Sequence, residues 1–356
     1  MQKTREILLG GVPIGGGRPP VIQSMCNTRT EDAAATLAQI HALADAGCQI
    51  VRVAFPNAAS ADGLRVVCRE SPLPVVADIH YDGRLALLAL SCGAHGLRVN
   101  PGNIRDTVLV REIAVAAARA DRCVRVGVNM GSLSPTAETA HGRPAKAMVA
   151  SALEYLKIFE GAGCRHLKVS LKASDLRQTC EACRLFADAS DWPQHIGVTE
   201  AGTPPLGVLK SAIGIGALLL EGIGDTLRVS LTADPVEEVR AARQILAALG
   251  LLPGRPQIVS CPTCGRTRID LIPLTQRVEA EIDRILASGK RIALNKIAVM
   301  GCEVNGPGEA ADADIGIAGG SGLGLLFRHG QRVRTFPEAQ LFDVLMAEIT
   351  PFITNN

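Results

Sequence analysis

Eight short apolar, β-branched runs recur through most of the chain: PPVIQSM, CQIVRVAF, PVVADIH, HGLRVN, CVRVGVN, CRHLKVSLKAS, QHIGVTEA and DTLRVSL. Their starts, near residues 20, 49, 74, 96, 123, 165, 195 and 226, are mostly 22 to 31 apart, the length of a strand, a helix and two turns. The intervals read as helices. Thr30 and Glu31 open TEDAAATLAQIHALADAG, whose apolar positions recur three and four apart until Gly47 ends it. Eight strand and helix units in series close most simply into an α/β architecture, a (β/α)8 TIM-like barrel. The alternative is a doubly wound open sheet, but no GxGxxG follows the first run to support it.

The one long interval, between the fifth and sixth runs, holds GSLSPTAETAHGRP, a candidate loop for substrate contact or lid motion. After Leu252 the pattern changes. PGRPQ reads as a linker. IVSCPTCGR, a helical DLIPLTQRVEAEIDRILASG, two strands in IAVMGCEVNGPGEA and ADIGIAGG, a hairpin-like GLGLLFRHGQRV and a last helix EAQLFDVLMAEITPFI then form a second, α+β domain. The expected division is 1–252 for the barrel and 253–356 for the small domain.

Composition narrows the function. Apolar residues at 47% and charged residues at 20% describe a folded, core-forming chain. With 37 Lys and Arg against 35 Asp and Glu, the net charge of +2 calls for neither nucleic acid nor an anionic membrane as partner. Aromatics at 3%, with a single Trp, leave little for stacking bases or sugars. The longest apolar stretch, Ala212 to Leu220, is about half of the ~18 residues a membrane span needs. The start, MQKTREILLGG, has no h-region, so a cytoplasmic protein is expected. Eleven cysteines without a secretory signal fit reduced thiols, most of them buried, better than a disulfide framework.

In a parallel barrel, side chains at the carboxyl ends of the strands converge on one mouth. Those ends carry Asn27, Arg52, Asp78 with His80, Arg98 with Asn100, Arg125 with Asn129, Lys168, Ser170 and Lys172, Thr199 with Glu200, and Arg228 with Ser230. Singly, each arginine reads as a surface or inter-strand ion pair. Their recurrence at the same place on successive units points to a site for a multiply anionic ligand such as a phosphate or diphosphate. Glu200, among apolar neighbours, reads either as a proton donor with a raised pKa or as an ion-pair partner of Lys172 or Arg228. A lysine ending the sixth strand also fits Schiff-base aldolases, whose nucleophile must be desolvated.

The sharper signal is CPTCGR at 261–266 with GCEVNGPGE at 301–309. Cys261 and Cys264 can point at one metal, and Cys302 sits between glycine and a Gly-Pro-Gly turn. The small domain has three cysteines, and His329 is its only other soft ligand. Three thiolates with an oxygen ligand such as Glu303 or Glu309 suit a [4Fe-4S] cluster, whereas a structural zinc more often has a fourth Cys or His; both stay open on the residues alone. Cys180 and Cys183 share the same spacing, but TCEACRLFADA reads as an uninterrupted helix with both thiols on its core face. LLGGVPIGGG near the start lacks the strand and Lys-Ser/Thr of a phosphate loop and reads as a turn-rich entry to the first strand.

Taken together, VIQSMCNTRTED, VADIHYD, LRVNPGNI, RVGVNMGSL, KVSLKASD, GVTEAG, EGIGDTLRVSLTADPVEE, CPTCGR and GCEVNGPGEA strongly resemble the 4-hydroxy-3-methylbut-2-enyl diphosphate synthase family, from about Val21 to Ala310. These are iron-sulfur oxidoreductases of the methylerythritol phosphate route to isoprenoids. The resemblance implies a TIM-like barrel that binds 2-C-methyl-D-erythritol 2,4-cyclodiphosphate and a small domain carrying a [4Fe-4S] cluster. It also implies a homodimer, in which the cluster domain of one chain closes over the barrel of the other, and flavodoxin or ferredoxin as electron donor. Carried over residue by residue, Cys261, Cys264, Cys302 and Glu309 hold the cluster, and Glu309 yields to substrate. Arg52, Arg98, Arg125, Lys172 and Ser230 contact the diphosphate, with Asp78, His80, Asn100, Asn129 and Asn305 nearby, and Glu200 is the acid. The length resembles the short bacterial form. Departures at Thr203, Pro204 and Pro205 and in FPNAAS after Arg52 are loop differences. The rival readings are a Schiff-base phosphosugar aldolase with a structural zinc domain and a non-enzymatic zinc-ribbon binding module.

Overall fold

A short antiparallel hairpin, β1 (Ile7–Leu9) and β2 (Val12–Ile14), precedes everything else. The computed structural model describes residues 3–355 apart from 81, 105, 131–132, 134–143, 303–307 and 309, so GSLSPTAETAHGRP lies almost wholly outside the described residues. The chain divides into two units, Met1–Ile245 and Leu246–Asn356.

In the first unit, strands β3 (Val21–Met25), β4 (Ile50–Ala54), β5 (Val75–Asp78), β6 (Gly96–Val99), β7 (Cys123–Asn129), β8 (Leu167–Lys172), β9 (His195–Ile196) and β10 (Thr226–Leu227) form one parallel sheet. Its order is β8-β7-β6-β5-β4-β3-β10-β9. A parallel bridge between Val169 and Gln194 brings the two ends together, with the Val169 N–H donating to the Pro193 carbonyl at 2.9 Å. This is the expected TIM-like barrel. β5, β6 and β8 are buried at every position, as strands covered on both faces must be. The covering helices are α1 (Ala33–Asp45), α2 (Ala61–Glu70), α3 (Arg84–Ser91), α4 (Thr107–Arg119), α5 (Pro144–Gly161), α6 (Leu176–Ala189), α7 (Leu206–Leu220) and α8 (Pro235–Ala248). Asp32, Asp106 and Asp175 cap α1, α4 and α6 by accepting first-turn backbone N–H groups, which fixes where each helix leaves its strand-end loop. No described helix is long and apolar enough to cross a membrane.

The glycine-rich start is more than a turn-rich entry. The Leu8 N–H donates to His166 Nδ1 at 3.1 Å, the Arg5 N–H to the Asp191 carbonyl at 2.8 Å, and Thr4 Oγ1 to Asp225 Oδ1 at 2.6 Å. All three acceptors lie just ahead of barrel strands, so the hairpin covers the amino ends of the barrel. Ile7, Leu9 and Ile14 are at most 1% exposed, each contributing about 1.5–3 kcal/mol by burial.

The second unit is built on a five-stranded mixed sheet, order β11-β13-β14-β15-β16, from β11 (Gln257–Ser260), β13 (Lys296–Met300), β14 (Ile315–Gly320), β15 (Leu323–Arg328) and β16 (Gln331–Pro337). The first three are parallel and the last two antiparallel. β12 (Lys290–Ile292) pairs with β17 (Ile353–Asn355) in a separate ribbon. Val278, Ile282 and Ile285 of helix α9 (Leu271–Ala287) share one core with Ile297 and Val299, Ile315 and Ile317, Phe327, and Leu345 and Ile349 of α10 (Leu341–Ile349).

Candidate functional site

Register builds the barrel site. Asp78 pairs across the sheet with Arg98, Arg98 with Arg125, Arg125 with Lys168 and Asn129 with Lys172, so these side chains share the interior face. At its centre is Asp78, 2% exposed. Its Oδ2 lies 3.7 Å from Arg52 Nε and 3.3 Å from His80 Nε2, and its Oδ1 lies 3.4 Å from Arg98 Nη1. Burial alone would raise the Asp78 carboxyl. The guanidinium of Arg52, the hydrogen bond from His80 and the charges of Arg98 and Arg125 outweigh it and hold the carboxyl well below the usual carboxylate range.

The cations carry the opposite strain. Burial pulls Arg52 down to about 10 against the attraction of Asp78. Arg125 and Lys172 are pushed well below their ordinary values, first by burial and then by neighbouring guanidiniums. The Nε atoms of Arg98 and Arg125 are buried without a hydrogen-bond partner among the described residues. Among the described residues, Arg52, Arg98, Arg125, Lys172 and Arg228 thus face two carboxylates, Asp78 and Glu238. A buried excess of positive charge with orphaned donors is complementary to an anion with several oxygens.

Two glycines make the crowding possible. A Cβ at Gly127 would lie 2.8 Å from Arg98 Nε and 3.2 Å from Ser170 Oγ. One at Gly197 would lie 2.8 Å from Lys172 Nζ and 2.4 Å from the Arg228 carbonyl. Below them, Lys168 is fully buried, 3.5 Å from Gln23 Oε1, and burial lowers it to about 8. His195, also buried, sits 2.9 Å through Nδ1 from Thr226 Oγ1 and is held well below its usual value, by burial first and then by Arg125 and Lys172.

The remaining strand-end residues divide. Asn100 is buried and accepts from the Gly102 N–H at 3.0 Å, shaping the turn after β6. Asn129 ends β7 opposite Lys172, and Ser230 is half-buried just beyond Arg228. Thr199 donates to the Ala173 carbonyl at 3.3 Å. Asn27 is exposed and tied to Gln39 of α1. Glu200 is exposed, at a φ of 56°, rather than enclosed by its apolar neighbours in sequence. The ion-pair partner of Arg228 is Glu238, at 3.2 Å. The sequence reading did not single out Glu238, because it stands ten residues away in the first turn of α8 beside an ordinary surface glutamate.

In the second unit, the parallel register that pairs Ser260 with Val299 brings the segments after β11 and β13 side by side. Cys261 and Cys302 are buried there, and the Gly301 N–H donates to Cys261 Sγ at 3.2 Å. Cys264 is exposed in the turn, which is tied by the Cys264 N–H to Thr267 Oγ1 at 3.1 Å and by the Arg268 N–H to the Gly301 carbonyl at 3.0 Å. Hydrogen bonds from the Arg266 backbone and side chain hold the Cys264 thiol below its ordinary value. Three thiols, one made easier to ionise and one already accepting a backbone N–H, suit a soft metal centre. Among the described residues, no three thiol, imidazole or carboxylate groups close around a single ion. Glu303, Asn305 and Glu309 lie outside the described residues. His329 is excluded as a ligand by topology: it occupies the turn after β15, at the end of the sheet where β14 begins, opposite the end that carries the cysteines.

Nine of the eleven cysteines are buried and all are free. Cys180 and Cys183 lie inside α6, as core residues, with Cys183 pushed up to about 12 by burial.

The GcpE TIM-barrel domain matches residues 4–243 and the GcpE protein C-terminal domain residues 257–351. The chain is 53% identical over 348 residues to the 4-hydroxy-3-methylbut-2-en-1-yl diphosphate synthase (flavodoxin) of Geobacter sulfurreducens, covering 98% of this chain and 97% of that one. It is 49% identical over 354 residues to the protein of the same name from Maridesulfovibrio salexigens, covering 99% and 97%. Among solved structures, dihydropteroate synthase from Thermus thermophilus aligns with a TM-score of 0.50 at 19% identity, over 70% of this chain and 99% of that one. That last likeness is one of fold.

Proposed function

The chain belongs to the GcpE family, and from that membership we propose that it is a 4-hydroxy-3-methylbut-2-enyl diphosphate synthase. As such it is an oxidoreductase that opens and dehydrates 2-C-methyl-D-erythritol 2,4-cyclodiphosphate with two electrons, giving (E)-4-hydroxy-3-methylbut-2-enyl diphosphate. The observation that carries this reading is the buried cationic cluster around Asp78, in a chain about half identical to its relatives over nearly its whole length.

In this reading Arg52, Arg98, Arg125 and Lys172, with Ser230, hold the diphosphate, and the orphaned Nε donors of Arg98 and Arg125 find phosphate oxygens. Asp78 keeps the arginines apart and correctly turned, while His80, Asn100 and Asn129 complete the lining. The arriving anion restores the proton affinity that burial takes from Lys172, so the lysine binds as ammonium. Glu200, exposed at its strand end, delivers the proton that lets the hydroxyl leave as water. A [4Fe-4S] cluster on Cys261, Cys264 and Cys302, with Glu309 as fourth ligand, would supply the electrons one at a time. Flavodoxin, named with the relatives, is the proposed donor, with ferredoxin as the substitute, and the working form is a homodimer. The aldolase alternative loses its support, because the relatives carry the synthase name.

The test is anaerobic purification followed by iron, sulfide and zinc analysis and turnover with reduced flavodoxin. About four iron and four sulfide per chain, as the proposed cluster demands, with formation of the allylic diphosphate is the expected result. One zinc, no colour after reconstitution and borohydride trapping of a carbonyl substrate on Lys172 would overturn it.

A further inference from the structure

Glu238 stands apart from the other acidic residues of the barrel. It is 4% exposed, on the first turn of α8, and reaches Arg228 at the end of β10. Its Oε2 accepts from Arg228 Nε at 3.3 Å and Nη2 at 3.2 Å, and its Oε1 takes the Leu231 N–H at 2.9 Å. One carboxylate therefore holds one edge of a guanidinium and the backbone just after Ser230. The next residue back, Glu237, is half-exposed and pairs with Arg240 on the helix surface.

The far side of Arg228 is differently occupied. Nη1 lies 3.7 Å from Met25 Sδ, and the same sulfur lies 3.2 Å from Arg52 Nε. A thioether is a weak acceptor, so two guanidiniums share a partner that a phosphate oxygen would displace. The strong acceptor sits on the edge of Arg228 turned toward α8 and the weak one on the edge turned toward Arg52. This polarises the arginine, fixed on one side and available on the other.

We infer that Glu238 is a positioning residue of the anion site: it orients Arg228 so that Nη1 is presented to the diphosphate beside Arg52, and it anchors the segment carrying Ser230 through the Leu231 N–H. The inference rests on the proposed diphosphate-binding function. It makes a prediction opposite in sign to simple charge counting. Removing a carboxylate from a cationic site strengthens its attraction for anions, whereas loss of a positioning residue weakens binding despite the added positive charge.

Glu238→Gln keeps the shape and one acceptor while removing the charge; Glu238→Asp keeps the charge and shortens the reach. The readouts are the KM and kcat of the reconstituted enzyme with the cyclic diphosphate, and calorimetric binding of inorganic pyrophosphate. Glu238→Gln should raise KM about tenfold and weaken pyrophosphate by a similar factor, with kcat changed little, the size expected for one charge-assisted contact. In an Arg228→Met background the same substitution should add little, because glutamine keeps an acceptor for the Leu231 N–H and the charge it loses acts through the arginine. Equal or tighter pyrophosphate binding by Glu238→Gln, or an undiminished effect without Arg228, overturns the inference. Should Glu238→Gln not fold, Glu238→Asp carries the same KM and binding readouts and the same criteria. If wild-type protein neither binds pyrophosphate nor turns over the cyclic diphosphate, the diphosphate reading itself fails, and the inference with it.

Discussion

The barrel mouth and the cysteine turn are both made at the carboxyl ends of parallel strands, yet they assemble in different ways. The mouth collects single residues from strands spread across the sequence, so that Arg52 and Arg228 meet at one sulfur. Its charges are desolvated before any ligand arrives, and the fold carries that cost in advance. The turn draws its thiols from two adjacent strand ends and a six-residue motif, with Cys264 in solvent. Preorganisation by tertiary packing thus governs the first, and local chain geometry the second. The one should resist change until its packing is broken, whereas the other should fail at a single atom.

The largest expected effect breaks the turn alone. Cys264→Ser should abolish turnover and strip iron and colour, while pyrophosphate still binds the barrel normally; a full iron complement in this variant would end the assignment of Cys264 as a ligand. Next, Lys172→Met removes one cation from the mouth and should raise KM by about 30-fold, equivalent to ~2 kcal/mol, with the visible spectrum untouched. An unchanged KM would take Lys172 out of the diphosphate contacts.

A smaller effect exposes the stored cost. Lys168 titrates near about 8 when folded and near ~10.4 when unfolded. Between those values the unfolded chain binds the proton more tightly, so stability contributed through this group rises with pH across the window, and below it the full cost is borne. The denaturant midpoint of wild type relative to Lys168→Met should therefore climb from pH 8 to pH 10, and a flat difference would show that Lys168 is not strained. The smallest effect is at the decoy. Cys183→Ala should cost about 1 kcal/mol as a small cavity and leave iron content unchanged.

How much was legible follows the same division. The β-branched runs foretold all eight barrel strands because the strands are covered by helices, β5, β6 and β8 being buried at every position. β9 and β10 are only two residues long, shorter than QHIGVTEA and DTLRVSL imply. The cysteines of the second unit were legible because each lies in a compact motif, CPTCGR or GCEVNGPGE. Gly127 and Gly197 were not, since a glycine in a strand gives no sign of the long side chain that needs its space. Glu238 was hidden for a related reason: helical spacing distinguishes it from Glu237 only once the helix is docked. The pairing of β12 with β17 joins two three-residue segments far apart in sequence, too short to leave a periodic trace.

The hairpin at the amino ends of the barrel has a consequence in time. Thr4 bonds to Asp225, 221 residues later, so the hairpin leaves the ribosome long before its last partner, which comes near the end of barrel synthesis. At ~5–20 residues per second that interval is roughly ten to forty seconds. Throughout it, Ile7, Leu9 and Ile14 have no completed floor to rest on. The nascent chain therefore carries an uncovered apolar hairpin through nearly all of barrel translation, and its burial waits on the emergence of the eighth strand.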